Sequence, residues 1–280
     1  MSTQPLIHGD VPKADILKAA TALGVLGGSA QAGRRLLAML CILAVFVVYD
    51  IRLKIVRAFA WKDSVRIIDA FCATVVGQIF ACLHVFCGVD FEYEQNVPGP
   101  LPERFMLIAN HQSLLDIPVS MGMLPGRRLR FVAKTELGSG IPFVSPVLQT
   151  QGHALVKRSG DFAQSMGALD RFARRSARDQ SCPVVFPEGT RSKDGRLGTF
   201  YTAGVRKVLD MGGMPIVVAA IDGGWRISKV KDFLSAFRGL RYRFRVAAVL
   251  PPPRGKKETL DAIEESRRII EAQLAEMRRS

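Results

Sequence analysis

The segment NHQSLLD, Asn110 to Asp116, places a histidine and an aspartate five positions apart, directly after the apolar run FMLIA. An imidazole accepts protons near neutral pH, and a carboxylate on its other ring nitrogen fixes the tautomer and stabilises the imidazolium that forms. His111 and Asp116 are therefore predicted to act as a general-base pair. The alternative is a histidine that merely lies near a capping carboxylate.

A second segment with chemical potential is FPEGTRS, Phe186 to Ser192. Pro187 and Gly189 predict a tight turn, Glu188 can accept hydrogen bonds from hydroxyl groups, and Arg191 can bind a phosphate with two parallel N–H groups. A surface turn without function explains the proline and the glycine but leaves the neighbouring acid and base unexplained.

The histidine and aspartate need a particular local structure to meet. Five positions on a straight α-helix correspond to about 500° of rotation, so two side chains with this spacing point about 140° apart. The pair forms only if His111 lies on the turn after a strand and Asp116 lies in the first turn of the next helix. Asn110 is predicted to brace this turn and Ser113 to cap the helix.

Short apolar runs alternate with helical patterns through most of the chain, which predicts an α/β fold with a mixed sheet flanked by helices. The polar, proline-containing segment before residue 105 predicts a boundary near Asn96, dividing residues 1–95 from a domain at 96–280 that ends in an amphipathic helix. The predicted strands are FMLIA, LRFVA, HALVK, PVVF, PIVVAAI and FRVAAVL.

Two apolar blocks lie in residues 1–95: Leu36 to Tyr49 and Ala70 to Val89. The first is short of the roughly twenty residues that span a bilayer, and basic residues flank it on both sides. This pattern favours a membrane-associated helical pair that dips into one leaflet, with a core helix of a soluble domain as the alternative.

The composition limits the possible partners. A formal net charge of +14 favours anionic partners such as lipid surfaces or phosphorylated substrates. No RNA-binding aromatic motif, zinc-finger spacing or basic helix followed by heptads occurs, so no nucleic-acid partner is predicted. Five cysteines without a CxxC pair predict neither a disulfide framework nor a metal site.

Taken with their order and spacing, the two segments resemble motifs of the glycerophospholipid acyltransferases. NHQSLLD resembles the Asn-His-x-x-x-x-Asp motif, and FPEGTRS contains the Phe-Pro-Glu-Gly-Thr-Arg-Ser motif in full. Between them, FVAKTELG and the following residues resemble a further block, with Lys134 in its Ala-Lys-x-Glu-Leu element and Arg158 at the position of the block's arginine. The fold implied is that of these enzymes, with helices that dock on the membrane.

Three departures from the family pattern concern the acyl acceptor. Lys157 replaces the usual acid before Arg158, and Tyr201 and Thr202 stand where a lysine is common. The block GMPIVVAAI lacks its second proline.

The resemblance implies transfer of a fatty acyl group from acyl-CoA or acyl-carrier protein to the free hydroxyl of 1-acylglycerol-3-phosphate, giving phosphatidate. His111 would be the general base and Asp116 would orient it, with backbone amides after the first strand as candidate oxyanion donors. It implies neither a metal nor a permanently bound cofactor. The substrate-binding residues implied are Lys134, Arg158, Glu188, Gly189, Thr190 and Arg191, with Asn110 and Pro187 in structural roles.

The expected partners are a lysophospholipid, an anionic membrane surface and an acyl-carrier protein. The expected location is the cytoplasmic face of the inner membrane, held monotopically or by an inserted N-terminal helix. Two other functions stay open: an acyltransferase for another lysolipid, such as a lyso-ornithine lipid, and an inactive module that binds membrane or nucleic acid.

Overall fold

The computed structural model describes residues 28–59, 64–157, 162–210, 213–228 and 239–279. In this part of the chain, seven α-helices accompany seven strands. The helices are α1 (Gly28–Phe59), α2 (Ser64–Cys87), α3 (Asp116–Met123), α4 (Val144–Thr150), α5 (Phe162–Arg178), α6 (Thr202–Leu209) and α7 (Gly255–Met277). The strands are β1 (Val89–Gln95), β2 (Met106–Ala109), β3 (Leu129–Lys134), β4 (Ala154–Val156), β5 (Cys182–Val185), β6 (Ile216–Asp222) and β7 (Leu240–Leu250).

The described strands form one mixed sheet in the order β1-β7-β6-β2-β5-β3-β4. Every neighbouring pair is parallel except β6 and β7, which are antiparallel. Strands β6, β2, β5, β3 and β4 therefore end at the same edge of the sheet, and β7 begins there. The predicted fold class, a mixed sheet flanked by helices, is confirmed.

Both faces of the sheet are buried, which explains why its central strands are continuous apolar runs. In β2, Leu107 and Ala109 face the core under α1, α2 and α3, whereas Met106 and Ile108 face the core under α5, α6 and α7. All four residues are fully buried. This alternation fixes the register of the strand that carries the Asn110–His111 turn.

The two N-terminal helices pack against each other. By length and composition alone, Ala32–Phe59 and Ser64–Cys87 are apolar enough to cross a membrane. Helix α1 is longer than the predicted apolar block, since its last turns continue through Arg52, Lys54 and Arg57, and lysine and arginine favour helices.

One strand is missing from the sequence-based predictions, and one local prediction is wrong. The sequence did not predict β1, which lies before the expected boundary at residue 96 and pairs with β7 along its whole length. Ser113 does not cap α3, whose N-cap is Leu115 without a side-chain hydrogen bond. The Ser113 hydroxyl instead donates to the Ile227 carbonyl (2.9 Å) and accepts the N–H of Leu115 (3.3 Å).

Candidate active site

The carboxyl edge of the parallel strands collects the residues that the sequence singled out. Asn110 and His111 follow β2, the Pro187–Arg191 turn follows β5, and Lys134 is the last residue of β3. Because β3, β5 and β2 are neighbours, side chains separated by many residues along the chain share one edge. Parallel sheets bind ligands at this edge.

His111 and Asp116 form a direct pair. The distance between His111 Nδ1 and Asp116 Oδ2 is 2.7 Å, with His111 on the turn after β2 and Asp116 as the first residue of α3. The His111 ring stacks on Phe186 with centroids 4.4 Å apart. An ionised carboxylate can only accept a hydrogen bond, so the neutral imidazole must carry its hydrogen on Nδ1, the nitrogen that faces Asp116. The other nitrogen, Nε2, then keeps a lone pair that can accept a proton.

The Asp116 carboxylate is fully buried and accepts hydrogen bonds at both oxygens. Besides the imidazole, Oδ2 accepts the backbone N–H groups of Gln112 (2.6 Å) and Ser113 (2.8 Å). Oδ1 accepts the hydroxyl of Tyr242 on β7. A buried carboxylate needs such donors to offset its desolvation, and together they fix its orientation toward His111.

Glu188 acts on His111 through the backbone. Its Oε1 accepts the N–H of His111 (2.7 Å), and its Oε2 accepts the N–H of Gly198 (2.8 Å). Burial raises the pKa of Glu188, and the two N–H groups partly oppose this rise. The carboxylate thus ties the turn after β2 to the loop before α6.

Asn110, Pro187 and Gly189 shape the two turns. The Asn110 side chain pairs with both backbone groups of Ile221 on β6, each at 2.8 Å. Pro187 is buried, and its carbonyl accepts the N–H of Tyr201 (2.9 Å). Gly189 has a φ of 60°, a left-handed conformation that glycine adopts without strain.

The predicted substrate-binding cations have different surroundings. Lys134 is half-buried at the carboxyl edge, and Arg191 donates from Nη1 to the Ser228 carbonyl, which leaves other N–H groups of its guanidinium for a ligand. Thr190 lies exposed on the same turn as Arg191. Arg158 lies outside the described residues.

The backbone amides after β2 are already hydrogen-bonded within the protein. The N–H of His111 donates to Glu188, and those of Gln112 and Ser113 donate to Asp116. The expectation that amides after this strand provide an oxyanion hole is therefore wrong for these three groups.

Comparison with known proteins identifies the central part of the chain. Residues 88–222 match the family model described as Acyltransferase. This segment, just under half of the chain, is similar to that family, and we refer to it below as the acyltransferase domain. Its sheet edge holds the His111–Asp116 pair and the Glu188 turn.

Individual relatives of the acyltransferase domain agree with this assignment. The chain is 30% identical over 154 residues to a chloroplastic 1-acyl-sn-glycerol-3-phosphate acyltransferase of Brassica napus, covering 54% of this chain and 43% of that protein. It is 40% identical over 91 residues to the 1-acyl-sn-glycerol-3-phosphate acyltransferase of Helicobacter pylori, covering 32% of this chain and 36% of that protein. The chain thus spans less than half the length of these curated relatives.

The crystal structure of the 1-acyl-sn-glycerophosphate acyltransferase from Thermotoga maritima has the same fold, with a TM-score of 0.64 and 22% sequence identity. The superposition covers 89% of this chain and 98% of the Thermotoga chain. The likeness therefore extends well beyond residues 88–222.

Sequence reasoning missed three residues around the acyltransferase motifs. Tyr242 bonds to Asp116, and Gln112 accepts the N–H of Trp225 (3.2 Å) while its amide lies 3.5 Å from Asp222. Tyr242 lies 126 residues from Asp116 and two residues before the predicted strand FRVAAVL. An alternation of aromatic and basic residues in LRYRFR was its one visible signal.

Proposed function

We propose that this protein transfers a fatty acyl group from a thioester to the free hydroxyl of 1-acylglycerol-3-phosphate, giving phosphatidate. The observation that carries the proposal is the 2.7 Å contact between His111 and Asp116 at the sheet edge of an acyltransferase domain. Relatives that bear the name of this enzyme support the choice of acceptor.

The chemistry needs one base and no acyl-enzyme. His111 Nε2 takes the proton of the acceptor hydroxyl while the hydroxyl oxygen attacks the thioester carbonyl. The tetrahedral intermediate then expels the thiolate, which takes the proton back from the imidazolium. Asp116 holds the ring and stabilises its positive charge, as a buried carboxylate does for a catalytic histidine.

The phosphate of the acceptor needs cationic partners near this base. Arg191 follows the Glu188 turn, Lys134 ends the neighbouring strand β3, and we assign these two and Arg158 to the phosphate. Both oxygens of Glu188 accept backbone N–H groups, so we assign it to shaping the acceptor pocket with Gly189 and Thr190.

The acyl donor is acyl-CoA or acyl-carrier protein, and the acceptor is a membrane lipid. A membrane location is supported by α1, which exposes an apolar face along most of its length. Basic residues on α1 and the net positive charge favour an anionic membrane surface on the cytoplasmic side. We propose that the enzyme docks there through α1 and α2, with residues 96–280 carrying the chemistry.

The test is acyl transfer by the purified protein, residues 1–280, in detergent. Each donor is offered with 1-acylglycerol-3-phosphate, and the His111→Ala and Asp116→Ala variants run alongside. We expect phosphatidate from the wild type, almost none from His111→Ala, and a strong loss in Asp116→Ala. If neither donor gives phosphatidate, the acceptor assignment is wrong, and full activity in His111→Ala would exclude the general-base role.

A further inference from the structure

Tyr242 lies 20 residues beyond the matched acyltransferase segment, yet its hydroxyl reaches the centre of the site. The side chain is fully buried near the start of β7, and its O–H donates to Asp116 Oδ1. The other carboxylate oxygen faces His111 and the two backbone N–H groups. Asp116 is therefore held from both sides, by its own turn and by β7.

We propose that Tyr242 is a positioning residue for the His111–Asp116 pair, an inference that rests on the proposed function. A buried carboxylate can rotate about its terminal bond, and the Tyr242 hydroxyl fixes the rotation in which Oδ2 faces the imidazole. The same hydrogen bond withdraws part of the negative charge from the carboxylate. Tyr242 thus sets both the direction of the His111 ring and the strength with which Asp116 stabilises the imidazolium.

The surroundings keep Tyr242 in the donor state. Burial, followed by the negative charge of Asp116, raises the pKa of the Tyr242 phenol well above its usual value. The hydroxyl consequently stays protonated across the working pH range. Other titratable groups around Tyr242 and Asp116 include Glu188, bonded to the His111 backbone, and Asp222 at the end of β6, which pairs with Arg243 and Arg278.

The packing around the hydroxyl leaves it little freedom. A Cβ added to Gly224, in the turn after β6, would overlap the Tyr242 hydroxyl and lie 3.1 Å from Gln112 Cβ. The Tyr242 ring lies 5.8 Å from the Phe91 ring on β1. A phenylalanine can therefore keep the ring in place and remove only the donor.

The experiment compares Tyr242→Phe with the wild type in the detergent assay, with the pH dependence of kcat and KM recorded. We expect kcat to fall about tenfold or more, with KM changed by less than about twofold, because a hydrogen bond to a buried charge is lost. We also expect the acid limb of the kcat profile to move to higher pH. Without the Tyr242 hydroxyl, the Asp116 carboxylate keeps its full negative charge and stabilises the His111 imidazolium more strongly. The neutral base would therefore form only at higher pH.

Tyr93→Phe is the matched control, since it removes a hydroxyl on β1 that donates to Gln95 of the same strand (2.9 Å). Gly224→Ala is a second variant that displaces the Tyr242 hydroxyl without removing it, and we expect the same direction of change. It provides the measurement if Tyr242→Phe does not fold.

Two results would overturn the inference while the proposed function stands. One is wild-type kcat in Tyr242→Phe together with an inactive His111→Ala. The other is a lower kcat with an unmoved acid limb, which would reveal only a packing role. Activity retained in His111→Ala would instead remove the proposed function itself.

Discussion

Two buried carboxylates hold His111 in different ways. Asp116 bonds to the imidazole itself, whereas Glu188 accepts the backbone N–H of the same residue and reaches across to Gly198. The first interaction sets the tautomer, and the second sets the position of the whole turn. Glu188 is 4% exposed, so a lost acceptor there is not replaced easily by water.

Glu188→Gln tests the role of this carboxylate as an acceptor for two backbone N–H groups. An amide has one acceptor oxygen, so its NH₂ group would face one of the two N–H donors. We expect kcat to fall at least about tenfold and the free energy of unfolding to fall by about 1–3 kcal/mol. Activity assays and thermal unfolding in detergent measure both, with Glu271→Gln, an exposed glutamate on α7, as the control. Wild-type values in Glu188→Gln would contradict this role.

Among the strands, the sequence revealed those that read as apolar runs and missed the one that alternates with acidic residues. The six predicted runs are apolar, whereas β1 reads VDFEYEQ and is only partly buried. Its acidic side chains pair with β7, Glu92 with Arg241 at 2.7 Å and Glu94 with Arg245 at 2.5 Å. Those partners lie about 150 residues away, so local patterning cannot reveal them.

The candidate site was also predictable only where its residues are close together in the sequence. His111 and Asp116 are close in sequence and their chemistry is recognisable, so the pair was found. Tyr242 and Asp222 reach the site only because β7 begins, and β6 ends, at the edge where β2 ends. Long-range topology, which a single sequence does not contain, decides their roles.

Helix α1 exposes a stripe of apolar side chains. Replacing these side chains with charged ones tests the proposal that α1 docks on the membrane. Leu40, Leu43 and Val47 are 53%, 50% and 41% exposed. Since burying such a side chain stabilises by about 1.5–3 kcal/mol, replacing all three with aspartate should lower the vesicle-bound fraction more than about tenfold. Flotation with anionic phospholipid vesicles measures this. Val249→Asp, at an exposed apolar site on β7, is the control, and undiminished binding of the triple variant would contradict docking through α1.

His153 links β4 to β3 and makes stability depend on pH. Its Nδ1 accepts the N–H of Phe131 (3.0 Å), and burial, with Arg130 and Arg175 adding to it, lowers its pKa from 6.5 to about 3. The unfolded chain therefore binds a proton that the folded protein does not. As pH falls from about 6.5, the free energy of unfolding should fall by up to about 1.4 kcal/mol per unit.

Denaturant unfolding in detergent at several pH values checks this prediction. His153→Gln keeps an acceptor oxygen without titrating, so its stability should fall less steeply with decreasing pH than that of the wild type. His84→Gln, at a half-exposed histidine, is the control. Equal slopes for His153→Gln and the wild type would show that another group dominates the acid transition.

The C-terminal helix α7 connects to the candidate active site. Arg278, next to the end of α7, donates from Nη2 to the Gly195 carbonyl (2.6 Å) and to Asp222 Oδ1 (2.9 Å). Gly195 lies in the loop between the Arg191 turn and α6, and Asp222 lies beside the Gln112 amide. Arg278 thereby joins α7 to the two segments that flank His111, although its side chain is 37% exposed.

Arg278→Ala should therefore lower activity more than stability. The loop around Gly195 would lose its tie to Asp222, while the α7 core residues Ile270, Leu274 and Met277 stay packed. Because exposed ion pairs contribute about 0–1 kcal/mol, we expect a thermal midpoint close to wild type but a kcat lower by about three- to tenfold. Arg279→Ala, one residue further along, is the matched control and should leave both unchanged. If Arg278→Ala and Arg279→Ala have the same kcat, α7 supports the site only by packing under the sheet.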